Sequence, residues 1–286
     1  MKKSETIIKM AANENNGDFY LMLKVPRILR ARGFRLYPDN NRRLVDLWLN
    51  GGAAVLGHTP VNLLRELKNT ASRGLYAPYP HFTENRYLKA LSIFFPGCSF
   101  RLYAAPPDDL RIKIWRPFFY PELPFALDDT QPFIPVLPGI QTWRNGLPLG
   151  LCVVAQLKQC SQLKQCAQLK QCADSQELIK KLPPGDALSP ILLAAAARGV
   201  YDLFASPQRG KLNMPRVMKA LKNSIWQRKG IYLTLKNEVS GNEWETLFNK
   251  FLKAGFLLPP IQAHPLILPG EISDGEEAKL AACLTV

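Results

Sequence analysis

The sequence contains only three histidines, and it lacks the common signatures of metal, nucleotide and serine-hydrolase sites. His58, His81 and His264 are far apart and follow no metal-ligand spacing, which argues against a zinc-type centre. We expect them to be ordinary half-buried or surface polar residues. Neither a P-loop nor a G-x-S-x-G elbow occurs. These absences remove the most common phosphate-loop, zinc and serine-hydrolase enzymes from consideration.

Long apolar runs are missing as well. The first twenty residues begin with lysines but contain no apolar core, which argues against a secretory signal peptide. The longest apolar stretch, residues 187–197, is interrupted by Ser189 and Pro190 and falls short of the roughly 20 residues of a membrane helix. We therefore expect a cytoplasmic protein without membrane contact. Its six cysteines are then reduced thiols rather than a disulfide framework.

The chain has an ordinary globular composition with an excess of positive charge. Of its 286 residues 47% are hydrophobic, which is enough for a sizeable core and for one large or two small domains. The formal net charge of +14 indicates anionic partners such as nucleic acid or phosphorylated ligands. Segment 209–236 contains basic but no acidic residues, and its cations are Arg209, Lys211, Arg216, Lys219, Lys222, Arg228, Lys229 and Lys236. This segment is a candidate polyanion-binding surface; a solvated basic helix face is the alternative.

A tandem repeat occupies residues 155–172, where AQLKQC, SQLKQC and AQLKQC follow one another. A period of six turns equivalent positions by about 240° on a helix, so they form no single face. Cys160, Cys166 and Cys172 lack the close pairing of zinc ligands. We interpret the repeat as a duplication tolerated in an exposed loop or helix.

Helix and strand signals alternate along the chain and predict a mixed α+β fold. Two strand-like runs surround the turn PDNN in residues 34–48. By contrast, residues 99–146 are rich in proline and aromatics, have no helical period and are interpreted as a connector. Helices are predicted at residues 60–73, 84–95, from 190 onward and at 215–229.

The last quarter of the chain has clearer signals. A strand is predicted from Gly230, and FLLPP forms a second, short strand. Asn242 with Glu245, and Ser273 with Glu276, are predicted to cap the two helices of this region.

Several segments share motifs with one enzyme family. These are GFRLYPDNNRRLVDL, LGHTPVNLLRELKNTASRG, FTENRYLKALSIFFPG, GLPLGLCVVA, SPILLAAAARGVYDL and the C-terminal LFNKFLKAGFLLPPIQAHPLILPGEISDGEEAKL. Together they resemble class III aminotransferases, the pyridoxal-phosphate (PLP) group that includes glutamate-1-semialdehyde aminomutase. The match covers both ends of the chain well and the middle weakly.

The resemblance implies a fold like the small domain of fold-type I PLP enzymes, with a shortened connector in place of the large α/β domain. On this basis we expect four parts. They are an aminotransferase-like segment at 1–98, the connector at 99–150, an exposed repeat insertion at 151–186, and a second aminotransferase-like segment at 187–286 that packs with the first.

The resemblance also indicates which chemistry is missing. PLP catalysis needs a lysine that forms a Schiff base and a helix start that binds the phosphate. Alignment on GLPLG puts Gln141 where that lysine would stand, and no lysine occurs between Lys113 and Lys158. Asp128 and Asp129 resemble only weakly the acid that meets the pyridine nitrogen, and two acids in a polar turn are the alternative.

Three functions follow from these patterns. The first is a catalytically inactive, aminotransferase-like interaction or regulatory protein, acting as a homodimer or with another protein and without a cofactor. The second is a PLP-dependent aminotransferase or aminomutase whose site is residual or completed by a partner. The third is polyanion binding, nucleic acid included, through the basic segment.

Overall fold

Short strands and amphipathic helices alternate in the computed structural model, which describes residues 17–107, 113–118, 132–144, 146–157, 182–206 and 212–285. The mixed α+β expectation is confirmed. A 3-10 helix at Gly17–Lys24 and another at Asn50–Gly52 accompany the main elements. In chain order these are β1 (Ile28–Arg32), β2 (Arg35–Pro38), β3 (Leu44–Asp46), α1 (Val61–Ala71), α2 (Thr83–Phe94), β4 (Cys98–Tyr103), β5 (Lys113–Trp115), β6 (Phe133–Pro135), β7 (Thr142–Arg144), β8 (Leu147–Leu149), β9 (Cys152–Leu157), α3 (Pro190–Phe204), α4 (Pro215–Leu221), β10 (Trp226–Lys229), β11 (Tyr232–Leu235), α5 (Gly241–Ala254), β12 (Phe256–Leu257), β13 (Leu266–Ile267) and α6 (Asp274–Leu284).

These elements divide into two units. The first combines the chain up to Gly51, the short stretch Arg144–Gly146 and the chain from Leu212 onward. The second contains Gly52–Trp143 and Leu147–Lys211. The four-part division expected from the sequence stays a prediction.

The first unit contains two small sheets. One has the order β1-β2-β3-β12, antiparallel except where β12 runs parallel to β3. The other has the order β10-β11-β13 and is antiparallel throughout. The strands predicted around PDNN are β2 and β3, and Asn41 turns the chain between them with a φ of 58°.

Helix α5 packs its apolar side chains into the core of this unit. Its predicted apolar stripe is confirmed, since Trp244, Leu247, Phe248 and Phe251 are all buried. Its N-cap is Ser240 rather than Asn242, because the Ser240 hydroxyl accepts from the Glu243 backbone and the Glu243 carboxylate accepts from the Ser240 backbone.

The predicted basic helix over 215–229 is wrong in its second half. Helix α4 ends at Leu221, and the chain turns and enters β10. Strand β10 pairs with β11 over four residues, and Trp226 at its start is buried in the core. Burying this indole and pairing the strand outweigh the helical preference of a few exposed lysines.

The second unit is built around a four-stranded sheet of order β4-β9-β6-β5. Strand β9 pairs antiparallel with β4 over six residues and with β6, and β6 runs parallel to β5. Residues 99–150 therefore contribute strands to this sheet. Prolines break the helical period there, and β6 still buries its three residues.

The expected repeat insertion does not begin at residue 151. Residues Cys152–Ala155 are fully buried in β9, and this continuous apolar run is typical of a strand covered on both faces. The first repeat copy thus begins inside the sheet, at Ala155. The exposure predicted for the rest of the repeat, with Cys160, Cys166 and Cys172, lies outside the described residues.

Helices α1, α2 and α3 complete the second unit. Helix α3 packs against the other two and buries a run of alanines from Ala194 to Ala197. Gly199 lies so close to the chain at Pro138 that a Cβ there would overlap the Pro138 carbonyl oxygen. Small side chains on this helix therefore allow the segment after β6 to lie directly against it.

Candidate functional site

Gln141 lies between β6 and β7, at the position where the sequence resemblance requires a lysine. Its side chain is only 8% exposed. Its Nε2 donates a hydrogen bond to the carbonyl oxygen of Leu151 at 3.2 Å. Because Leu151 directly precedes β9, this bond joins the two ends of the β7–β8 hairpin. A carboxamide is neutral and cannot form a Schiff base, so this side chain has a structural contact and no covalent chemistry.

The surroundings of Gln141 in the second unit are apolar. Val136 and Leu137, just before it in the chain, are buried, and so is Cys152 just after its partner. Burial raises the pKa of the Cys152 thiol to about 12, so it is protonated at neutral pH and is not an activated nucleophile. Cys98 is also buried.

Other residues weighed for cofactor chemistry are Asp128, Asp129 and the nearest lysine before Gln141, Lys113. Asp128 and Asp129 lie outside the described residues. Lys113 is on β5 and exposed. The resemblance would need an amine at the position it assigns to Gln141, and the carboxamide found there does not meet that need.

The three histidines are separate, as expected, but one is more buried than expected. His264 is 2% exposed. The Trp48 indole Nε1 donates to His264 Nδ1 at 3.1 Å, so the ring proton belongs on Nε2, which donates to the Gly146 carbonyl at 3.4 Å. His264 thus links the end of β3 to the turn at Gly146. Across the described ranges, histidine, cysteine and carboxylate side chains form no cluster able to hold a metal.

The candidate polyanion-binding residues lie on α4, the turn after it and β10. Arg209 and Lys211 are outside the described residues, whereas the others are exposed: Arg216, Lys219, Lys222, Arg228 and Lys229. They form no continuous helix face, since the helix ends before Lys222. Several of these cations have hydrogen bonds within the protein, and Lys236 Nζ donates to the carbonyl oxygen of Ser224 at 2.6 Å. Arg216 donates to the carbonyl oxygen of Asp274 at 2.8 Å, and Arg228 donates to that of Gly230 at 2.7 Å.

A second basic region, which the sequence reasoning did not single out, is the β1–β2 hairpin. Arg30 lies over the Tyr37 ring, with its guanidinium carbon 4.4 Å from the ring centroid. These two residues line a cavity of about 290 Å³ together with Leu29, Pro38, Asn41 and Arg43. Counting charge over residues 24–43, which hold seven cations and one acid, would have found this hairpin.

The same hairpin is joined to α6 by an ion network. Arg35 donates to both carboxylate oxygens of Glu276, at 3.1 and 2.8 Å, and Arg43 donates to the same carboxylate at 3.0 Å. Partial burial opposes ionisation of Glu276, but Arg35 and the capping Ser273 outweigh it and lower the pKa to about 2. The predicted Ser273–Glu276 capping box is confirmed and has this additional role.

Comparison with known sequences finds two relatives of undescribed role. No family model matches this sequence. An uncharacterized protein of Treponema pallidum (strain Nichols) is 25% identical over 307 aligned residues, which cover 85% of this chain and 89% of that protein. An uncharacterized protein of Borreliella burgdorferi is 42% identical over 78 residues, 27% of this chain and 29% of that protein.

Solved structures that are similar to this chain include aminotransferases. The ornithine aminotransferase PY00104 from Plasmodium yoelii matches with a TM-score of 0.60 at 12% identity, covering 91% of this chain and 92% of that one. The fold is that of the PLP-dependent aminotransferases. An acetylornithine aminotransferase from Elizabethkingia anophelis has a TM-score of 0.54 at 12% identity, covering 91% of this chain and 92% of that one. A transaminase with PLP bound has a TM-score of 0.58 at 12% identity, covering 99% of this chain and 96% of that one.

The family resemblance noted in the sequence is therefore confirmed at the level of the fold. Since the matches cover at least nine-tenths of each chain, the similarity extends beyond the terminal segments that carried the sequence resemblance. Among the described residues no helix is both long and apolar enough to cross a membrane.

Proposed function

We propose that this chain is a non-catalytic member of the aminotransferase fold that acts as an interaction or regulatory protein. The observation that carries the proposal is Gln141. A buried carboxamide, bonded to the Leu151 carbonyl, stands where the sequence alignment requires the Schiff-base lysine. Without an amine at this position the chain has no covalent attachment for the cofactor there. We infer that it neither requires PLP nor transaminates on its own.

An exposed aromatic loop between α1 and α2 supports an interaction role. Tyr76 is 68% exposed, and Tyr79 and Phe82 are each 58% exposed. Aromatic side chains placed together on a surface are typical of protein–protein contacts, where they contribute much of the binding energy. The protein that this loop would contact is a second copy of the chain or another protein.

One alternative is an aminotransferase or aminomutase whose site uses another lysine or is completed by a partner subunit. It is supported by the fold of the solved neighbours alone. A further alternative is polyanion binding through the basic segment 209–236. It is supported by the net charge and by the exposure of its described cations, which are Arg216, Lys219, Lys222, Arg228, Lys229 and Lys236.

The first experiment is a titration of the purified protein with PLP, followed by absorbance spectra before and after borohydride reduction. We expect no reducible aldimine band and no labelled lysine by mass spectrometry. A band that maps to one lysine would overturn the proposal and identify the residue. The Gln141→Lys variant is the matched comparison: a band in this variant alone would show that the site lacks only its amine.

The partner hypothesis needs its own measurement. Light scattering of the full chain gives its mass in solution, and the Tyr76→Ser/Tyr79→Ser variant tests whether the aromatic loop makes the contact. We expect the variant to lose the dimer or the captured partner while its melting temperature is unchanged. Repeating the PLP titration on the assembled complex tests completion of the site by a partner.

A further inference from the structure

The cavity on the β1–β2 hairpin has the features of a ligand site. It encloses about 290 Å³ and is lined by Leu29, Arg30, Tyr37, Pro38, Asn41 and Arg43. Two guanidinium groups, an aromatic ring, a carboxamide and an aliphatic side chain thus surround one space. We infer that this cavity binds a nucleotide, with the arginines on its phosphate and the flat and apolar side chains against its ring. The inference is independent of whether the protein is an enzyme.

The charge balance of the cavity favours an anion. The six lining residues include two cations and no acid. Arg43 and Arg35 both pair with Glu276, and Arg35 also lies 3.7 Å from Glu271, so these two arginines have carboxylate partners. Within the described ranges no carboxylate lies within ion-pair distance of Arg30, whose charge is therefore uncompensated. Guanidinium groups bind phosphate oxygens through paired, charge-assisted hydrogen bonds.

The lining is held in place before any ligand arrives. Arg30 and Tyr37 are direct cross-strand partners, and the Arg30 guanidinium lies over the Tyr37 ring. The opposite wall is a turn closed by the hydrogen bond from the Asn41 backbone to the Pro38 carbonyl at 3.3 Å. Arg43 is oriented by Glu276. A site whose side chains are already ordered loses less entropy on binding.

The remaining walls select for a flat, partly apolar body. Guanidinium planes and aromatic rings both stack on nucleobases. Leu29 is 68% exposed beside them and offers apolar contact. The volume is at the lower limit of ligand pockets, which span roughly 300–1,000 Å³, so a small ligand of the size of a mononucleotide is indicated.

A nucleotide reaches this cavity from one of two sources. It is either a free nucleotide or one residue of a single-stranded nucleic acid. Arg27 directly precedes the exposed strand β1, Arg32 is its last residue, and neither lines the cavity. They therefore contribute to binding only when the ligand continues along the strand, and this difference separates the two sources.

The test uses the full chain and two probes, adenosine monophosphate and a twelve-residue oligodeoxyadenylate, titrated calorimetrically at low salt. We expect saturable binding of adenosine monophosphate at one site per chain, displaced by inorganic phosphate. Arg30→Gln should weaken it about ten-fold or more, as loss of a charge-assisted contact does. Arg32→Gln, the matched control on the same strand, should change it less than about two-fold. Leu29→Glu places an acid in the cavity and should also abolish binding.

Three outcomes would overturn the inference. They are the absence of saturable binding of either probe, equal losses in Arg30→Gln and Arg32→Gln with adenosine monophosphate, and unchanged binding in Leu29→Glu. If the oligonucleotide binds more tightly, competes with the mononucleotide and depends on Arg32 as well as Arg30, the site is confirmed with nucleic acid as its source. Urea unfolding of each variant shows that the fold is retained, and the exposed position of Leu29 keeps that variant interpretable.

Discussion

At the scale of single residues, two buried polar side chains make hydrogen bonds that hold turns in place. Gln141 joins the ends of the β7–β8 hairpin through the Leu151 carbonyl, and His264 joins Trp48 to Gly146. Both are residue types that often carry chemistry, and in this protein each makes hydrogen bonds within its own unit. Buried polar groups of this kind contribute to stability because leaving their partners unsatisfied is costly.

Gln141→Leu tests this structural role. The leucine keeps most of the volume but removes the donor to the Leu151 carbonyl, so we expect the free energy of unfolding to fall by about 1–3 kcal/mol. Urea denaturation followed by circular dichroism measures the change. The control is Thr142→Ser at the exposed neighbouring position, which keeps the hydroxyl that donates to the Leu149 carbonyl and should change stability by less than about 0.5 kcal/mol. Equal stability of wild type and Gln141→Leu would contradict the role.

At the scale of elements, packing and capping decide where helices and strands begin and end. Helix α5 begins at its Ser240–Glu243 capping box and ends at Gly255, whose φ of 96° suits glycine. Helix α3 is shaped by contact, since its alanines and Gly199 accommodate the chain at Pro138 and Gly139. The same helix would have formed with larger side chains, but the segment leading to Gln141 would then lie elsewhere.

Gly199→Ala tests the close contact between α3 and the chain at Pro138. The new Cβ would overlap the Pro138 carbonyl oxygen, so either the helix or the loop must move. Although alanine is the better helix former, we expect a loss of about 1–3 kcal/mol, as in other overpacked interiors. Gly241→Ala at the start of α5, where nothing lies within 4 Å of the added atom, is the matched control and should be neutral or slightly stabilising. A neutral Gly199→Ala in denaturant titration would show that the contact is loose.

At the scale of the whole molecule, charge sets the response to acid. The chain has a net charge of +14 at neutral pH, and protonating carboxylates adds to the self-repulsion of the folded state. Glu276 is one of these carboxylates, and it is the common partner of Arg35 and Arg43. Its folded-state pKa of about 2 lies below its ordinary value of 4.5.

The lowered pKa of Glu276 makes the folded protein less stable in acid. A carboxyl with a depressed pKa contributes stability that is complete above about pH 4.5 and is lost as the pH falls towards about 2. We expect Glu276→Gln to be less stable than wild type at pH 7, with the difference shrinking across this window. Glu243→Gln removes the equivalent capping carboxylate, which pairs with no arginine of the described residues, and should show a smaller effect. Parallel stability curves for wild type and Glu276→Gln would contradict the ion network.

Local signals in the sequence predicted many elements of the fold. The strands around PDNN, the apolar stripe of α5, its end at Gly255 and the Ser273 capping box all depend on residues within one or two turns of each other. Such interactions are readable without knowing what the element packs against. The aminotransferase fold could be predicted for a related reason, since several contiguous segments of this chain resemble segments of class III aminotransferases.

Distant contacts account for what sequence reasoning missed. The helix predicted to 229 ends at Leu221 because Trp226 joins the core and β10 pairs with β11. Strand β9 was mistaken for the start of an exposed insertion because its partners β4 and β6 are far away in the chain. Strand pairing over such separations has no local signature.

The sequence by itself determined the residue types that limit the chemistry. It has a glutamine where the resemblance requires a lysine, and several arginines near the N-terminus. Residue identity and charge can be known from the sequence without knowing how the residues are arranged in space. Only the tertiary structure decided that Gln141 is buried against the Leu151 carbonyl and that Arg30, Tyr37 and Arg43 surround one cavity. Burial and convergence arise when strands and turns separated in the chain pack together, which is a property of the folded state.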